Sequence, residues 1–184
     1  MLAIESHRNE CLVIGEDLGR VVKGLRDDLR KWKILGCIVY LLENEELLNN
    51  TIDRKRVSSG LFSFGGHDFA PMRGFFVGED LRELKKLGRI DDSVLADDMR
   101  KRKMIEDNLF NGKSLKVTSE QDRIAVLRGM KIRYRSRVHA VALDDVLGEH
   151  KPVNIPGTDR EFPNWRRKYS RKIEDFPDCI LNNA

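Results

Sequence analysis

Four short apolar runs in this 184-residue chain lead into acidic side chains. Cys11-Leu12-Val13-Ile14 is followed by Gly15 and then Glu16-Asp17. Cys37 to Leu42 is followed by Glu43. Leu61 to Phe64 passes through Gly65-Gly66 to His67-Asp68, and Val138 to Leu143 meets Asp144-Asp145. A carboxyl group in a shared, partly desolvated pocket has a raised pKa and is suited to proton donation. Glu16 fits that role by position; in the alternative reading Glu16 or Asp17 caps the helix that follows. His67 beside Asp68 pairs a donor with a carboxylate, suited to holding hydroxyls and a developing positive charge, and the alternative there is a polar turn. Glu43 and Asp144-Asp145 read as loop or helix-cap residues.

Other chemistry finds little support. Gly15-x-x-x-Gly19 has neither the spacing nor the ending of a phosphate-binding loop. His7, His67, His139 and His150 are too far apart for a zinc helix, and no hydroxyl near a strand end has a visible His partner. No metal or organic cofactor is implied. The basic clusters Arg54-Lys55-Arg56, Arg100 to Lys103 and Arg166-Arg167-Lys168 read as solvated faces, each with acids nearby. With 34 Lys and Arg against 30 Asp and Glu, the net charge of +4 is too mild to demand a nucleic-acid partner. Cys11, Cys37 and Cys179 make an odd set with no C-x-x-C spacing, which argues against a disulfide framework and for a reducing cytoplasm. No run approaches the ~20 apolar residues of a membrane span, and no terminal run suits a secretory signal.

The elements that would position the carboxylates form a repeating pattern. Cys11–Ile14 is short, apolar and not alternating, which suits a strand buried on both faces. Val21, Leu25, Leu29 and Trp32 fall at helical spacing, and Cys37 to Leu42 is a second strand. Strand, helix and strand in this order make a βαβ unit and hence a parallel sheet. A third strand is expected at Leu61–Phe64. Helices are expected over Glu79–Leu87, Ser93–Phe110 and Ser119 to about Arg135, broken at Gly88 and Gly112, with Ser119 and Asp122 as a helix start. Val138–Leu143 is the fourth strand, and the tail from about residue 151 is rich in Pro, Gly and Asn. The class is α/β. In α/β barrels the catalytic side chains come from the carboxyl ends of several strands.

Several of these segments together resemble one family. Glu5-Ser6-His7-Arg8-Asn9-Glu10-Cys11-Leu12-Val13-Ile14-Gly15-Glu16-Asp17-Leu18-Gly19 is similar to the acid/base region of the amylomaltases, the 4-alpha-glucanotransferases of glycoside hydrolase family 77. Gly66-His67-Asp68 resembles their Thr-His-Asp motif, and Asp144 to Glu149 their last barrel strand and its loop. Asn154-Ile155-Pro156-Gly157-Thr158, followed by Glu161-Phe162-Pro163-Asn164-Trp165-Arg166-Arg167, resembles their carboxyl-terminal signature. The resemblance runs from about Glu5 to Lys172 in matching order.

It implies a (β/α)8 TIM barrel, of which residues 1–184 would be one segment: the carboxyl-terminal half, about four parallel strands with helical crossovers. A complete barrel takes about 250 residues. It implies transfer of α-1,4-glucan segments to glucose or another glucan, with retention, through a covalent glycosyl-enzyme. Glu16 would be the general acid/base and Asp68 the carboxylate that holds sugar hydroxyls and stabilises the oxocarbenium-like state. His67 and Asp17 would bind substrate. The family's aspartate nucleophile lies on the strand before the acid/base, and nothing upstream of Glu16 supplies it. Two-step transfer by this segment alone is therefore not expected. Arg89-Ile90-Asp91-Asp92 imitates the nucleophile motif but reads as a helix cap. The partners implied are maltooligosaccharides or α-1,4-glucan, with self-association or pairing with the other barrel half at open sheet edges. The alternative is a glucan-binding or scaffold role without turnover.

Overall fold

The computed structural model describes residues 1–49, 51–110 and 119–176. The Gly112 break and Cys179 lie outside them. In chain order the elements are α1 (Leu2–Arg8), α2 (Leu25–Lys31), β1 (Cys37–Val39), α3 (Tyr40–Leu48), α4 (Arg54–Ser58), β2 (Leu61–Ser63), α5 (Met72–Val77), α6 (Glu79–Lys86), α7 (Asp92–Leu109), α8 (Glu120–Tyr134), β3 (Val138–His139) and α9 (Leu143–Leu147). The class is α/β. No helix among the described residues is long and apolar enough to cross a membrane. The chain divides into two compact units: Met1–Phe64 with Arg128–Ala140, and Gly65–Leu127 with Val141–Ala184.

The first unit is built on a parallel sheet of order β1-β2-β3. Cys37 pairs with Leu61 and Val39 with Ser63; Leu61 then pairs with Val138 and Phe62 with His139. On the other side of β1, Ile14 makes a parallel bridge to Leu35. Four segments thus lie side by side in chain order, and each crossover moves one place in the same direction. The core beside them is aromatic. Ile38, Tyr40 and Phe62 are fully buried, with Phe62 stacked on Tyr134 at 4.7 Å and Tyr40 on Phe64 at 6.0 Å.

Three of the expected strands differ from the sequence reading. Cys11–Ile14 forms only the single bridge, and Leu12 and Ile14 are exposed instead of buried on both faces. They sit at the sheet edge, where no described segment covers them. The second strand stops at Val39 and the chain coils into α3 from Tyr40, although Leu41 N still donates to the Phe64 carbonyl at 3.0 Å. The fourth strand likewise pairs over Val138–His139 alone, and Asp144-Asp145 stand in the first turn of α9. The helix expected from Val21 begins only at Leu25, because Gly24 interrupts it with a left-handed backbone at φ 91°.

The second unit is helical. Arg102 of α7 lies buried and joins three helices: it donates to both carboxylate oxygens of Asp80 in α6 (2.6 and 2.8 Å) and to the Phe75 carbonyl of α5 (2.8 Å). Its guanidinium also sits 4.0 Å above the Phe75 ring, a cation–π contact. Gly74 lets the 150 segment pack directly on α5, since a Cβ there would stand 1.8 Å from the His150 carbonyl oxygen. Asp91 caps α7 by accepting from Val94 N at 2.9 Å, as its position before an apolar-periodic run suggests. Ser119 caps α8 through Asp122 N at 3.1 Å.

Candidate active site

In the first unit, Glu16 follows the Ile14 bridge by two residues. It is exposed and accepts no hydrogen bond among the described residues. It does not cap α2, whose N-terminus at Gly24 has no side-chain cap. The carboxyl at this segment end therefore stays free for chemistry with a ligand.

Its neighbour Asp17 faces the opposite way. The Asp17 side chain is 1% exposed. Its Oδ1 accepts from the Cys37 N–H at 2.7 Å, and its Oδ2 accepts from Arg26 Nε (2.9 Å) and Arg56 Nε (3.2 Å). Burial pushes the Asp17 carboxyl up, but the Cys37 N–H and the two guanidiniums outweigh it and hold it below the usual carboxylate range. Asp17 was expected among the substrate contacts; in the structure it has no oxygen open to a sugar. Gly36 makes room for it, because a Cβ at Gly36 would stand 2.8 Å from Asp17 Oδ1.

Arg56 completes this network. It is buried, donates to the Cys37 carbonyl at 2.6 Å and grips Glu43 with both terminal nitrogens, Nη2 to Oε1 at 2.9 Å. A bidentate pair of this kind is geometrically specific and strong. Glu43 is thus an ion-pair partner at a kink in α3, where its own backbone is non-helical (φ −119°, ψ 17°). The Cys37 thiol between these groups is pushed up, first by burial and then by the charges of Asp17 and Glu16.

In the second unit, His67 and Asp68 are both more than half exposed, with His67 Nε2 3.5 Å from Asp68 Oδ1. Asn154 Nδ2 donates to the same Asp68 oxygen at 2.7 Å. The His67 ring lies 5.2 Å from the Trp165 ring, tilted at 49°. An imidazole, a carboxylate, an amide and an indole therefore share one surface.

Asp144 and Asp145 are committed elsewhere. Asp144 pairs with Arg167, whereas Asp145 is buried and accepts from Met72 N, the first residue of α5, at 2.6 Å. Glu149 accepts from the N–H and hydroxyl of Ser170 (2.7 and 2.6 Å), and these with Arg167 lower its carboxyl against the opposing effect of burial. Asp91, capping α7, takes no part in a carboxylate cluster. Among the described residues no group of His, Cys, Asp and Glu could hold a metal ion.

Asn154, Arg56 and Trp165 were not among the sequence-derived site residues. Asn154 and Trp165 lie in the signature segments quoted above, so the signal was present without a role attached. Arg56 was hidden in a basic run that read as solvated.

Residues 1–173 match the model of glycoside hydrolase family 77, the 4-alpha-glucanotransferases. The chain is 28% identical over 187 residues to the 4-alpha-glucanotransferase of Haemophilus influenzae, covering 94% of this chain and 26% of that protein. It is 30% identical over 184 residues to the enzyme of the same name from Mycobacterium tuberculosis, covering 90% of this chain and 24% of that one. The structure is similar to the crystal structure of amylomaltase from Corynebacterium glutamicum, with a TM-score of 0.68, 26% identity, and coverage of 89% of this chain and 26% of that one. The chain belongs to the 4-alpha-glucanotransferase family, glycoside hydrolase family 77. It spans about a quarter of the length of the curated relatives it matches.

Proposed function

We propose that this chain serves the transfer of α-1,4-glucan segments, with Glu16 as general acid/base and His67 and Asp68 as the groups that hold a glucosyl unit. In the first step a nucleophilic carboxylate from outside residues 1–184 bonds to the anomeric carbon as its bond to the leaving glycosidic oxygen breaks and the Glu16 carboxyl protonates that oxygen. In the second its carboxylate takes the proton of the acceptor 4-hydroxyl, as a retaining two-step mechanism requires. Asp68 accepts hydrogen bonds from sugar hydroxyls and its charge stabilises the oxocarbenium-like state. Asp17 acts by position: it anchors the backbone beside Glu16 and fixes where that carboxyl points. None of these residues is assigned the nucleophile's role, and the proposal uses neither metal nor cofactor. We place the reaction in a reducing cytoplasm, where the free thiols Cys11 and Cys37 persist.

The four parallel segments that advance one place at a time are consistent with an arc of a (β/α)8 barrel. In that reading the Cys11–Ile14 segment and β3 are edges that pair with further strands, of another copy or of the rest of a barrel. The observation that most supports a sugar ligand is the grouping of the exposed His67 and Asp68 with the half-buried Asn154. Amide-resolved NMR titration with maltoheptaose tests it. Saturable shifts around residues 66–69, lost in Asp68→Asn, are expected; shifts unaffected by that substitution contradict it.

A further inference from the structure

Trp165 is 61% exposed, yet its backbone sits at φ 61°. That left-handed region is unusual for a bulky residue, and a mostly exposed side chain, with the His67 ring as its one described ring contact, recovers little of the strain by packing. Neighbouring bonds impose the conformation. Trp165 N donates to the Val153 carbonyl at 2.8 Å. Asn164 accepts from Ile155 N at 2.9 Å and donates to the Thr158 carbonyl and hydroxyl at 3.0 and 2.9 Å. A backbone held in strain by its surroundings, with its side chain left in solvent, marks a residue whose ring is wanted at the surface.

The ring's neighbours say what for. His67 lies 5.2 Å away, Asp68 is within 3.5 Å of His67, and Asn154 holds Asp68. A glucose ring has an apolar C–H face and a rim of hydroxyls. It therefore fits a flat aromatic surface bordered by a carboxylate, an amide and an imidazole. We infer that Trp165 is a stacking platform for a glucosyl unit next to the one whose hydroxyls His67 and Asp68 hold. This rests on the glucan reading above and adds a consequence: the chain prefers oligomers over free glucose because a second ring lands on the indole.

The chain has two tryptophans, and Trp32→Phe leaves Trp165 as the sole fluorescent reporter. Titration of that variant with maltoheptaose should shift Trp165 emission saturably. Trp165→Gly removes the ring and also suits φ 61°. Its thermal midpoint should therefore hold or rise, while maltoheptaose affinity falls about ten-fold or more. Trp165→Phe, which keeps a flat ring, should stay within about three-fold. Unchanged affinity in Trp165→Gly, or a silent Trp165 while calorimetry reports binding, overturns the platform and leaves the glucan reading standing. A folded, unaltered chain that binds no maltoheptaose overturns both.

Discussion

Asn154 Nδ2 donates to Asp68 Oδ1 at 2.7 Å across 86 residues of chain. The bond ties the segment after β2 to the Asn-Ile-Pro-Gly-Thr stretch, so two separate motifs serve one carboxylate. Asn154→Ala should free Asp68 to rotate and weaken maltoheptaose binding by about five-fold, the equivalent of one hydrogen bond of about 1 kcal/mol. Calorimetric titration checks this, and an unchanged dissociation constant would separate Asn154 from ligand binding.

Glu16→Gln keeps the size and polarity of the side chain but removes its titratable proton. Glu16 is exposed and makes no hydrogen bond among the described residues, so the thermal midpoint should not move. In a longer family 77 chain that supplies the nucleophile, transfer from maltotriose should fall by about 10²- to 10⁴-fold, with binding within about two-fold. A variant that transfers at the normal rate would remove Glu16 from the mechanism.

Arg56 neutralises Asp17 and Glu43 together. Arg56→Met leaves both carboxylates poorly exposed and without that guanidinium, which should cost about 3–5 kcal/mol, read as a lower urea midpoint. Arg56→Lys keeps the charge but loses the fork that spans Glu43, and should fall between the two. Because the Asp17 pKa is depressed on folding, its contribution is present above the unfolded value of about 3.9 and is lost as pH falls through the folded one. Arg56→Met should therefore lose much of its penalty in acid. A penalty that persists below pH 3 would mean the network acts through packing alone.

Asp145 behaves in the opposite sense. Burial drives its carboxyl up to about 6 against the Met72 N–H, with Asp144 adding repulsion and Arg123 opposing it. A raised folded pKa gives stability that is full below the unfolded value of about 3.9 and is lost as pH rises through about 6. Asp145→Asn keeps an oxygen for Met72 N and removes the buried charge. It should stabilise the protein by about 1–3 kcal/mol at pH 7.5 and by little at pH 4. Urea unfolding at both pH values decides it, and destabilisation at pH 7.5 would show that Arg123 holds the carboxylate charged.

The long helices α6, α7 and α8 and the strand β2 were legible because their apolar spacing and caps are local properties. Strand ends were not. How far Cys37–Leu42 and Val138–Leu143 stay extended depends on a partner strand that neither run encodes. The arginines were the larger gap. Arg56, Arg102 and Arg167 each sit in a basic run that reads as solvated, yet each turns inward to carboxylates 13 to 39 residues away in sequence. The same holds for Glu16 and Asp17, adjacent carboxyls that the chain turns to opposite environments. Composition does not reveal which member of a run faces the core; the positions of distant carboxylates decide it.

Calorimetric titration of the chain with maltohexaose and with its β-1,4-linked counterpart, cellohexaose, tests the glucan assignment most directly. Saturable binding of the α-linked oligomer is expected, weaker by at least about ten-fold for the β-linked one, and lost in Asp68→Asn. A folded chain that shows no saturable heat, or that binds both oligomers equally well, would contradict it.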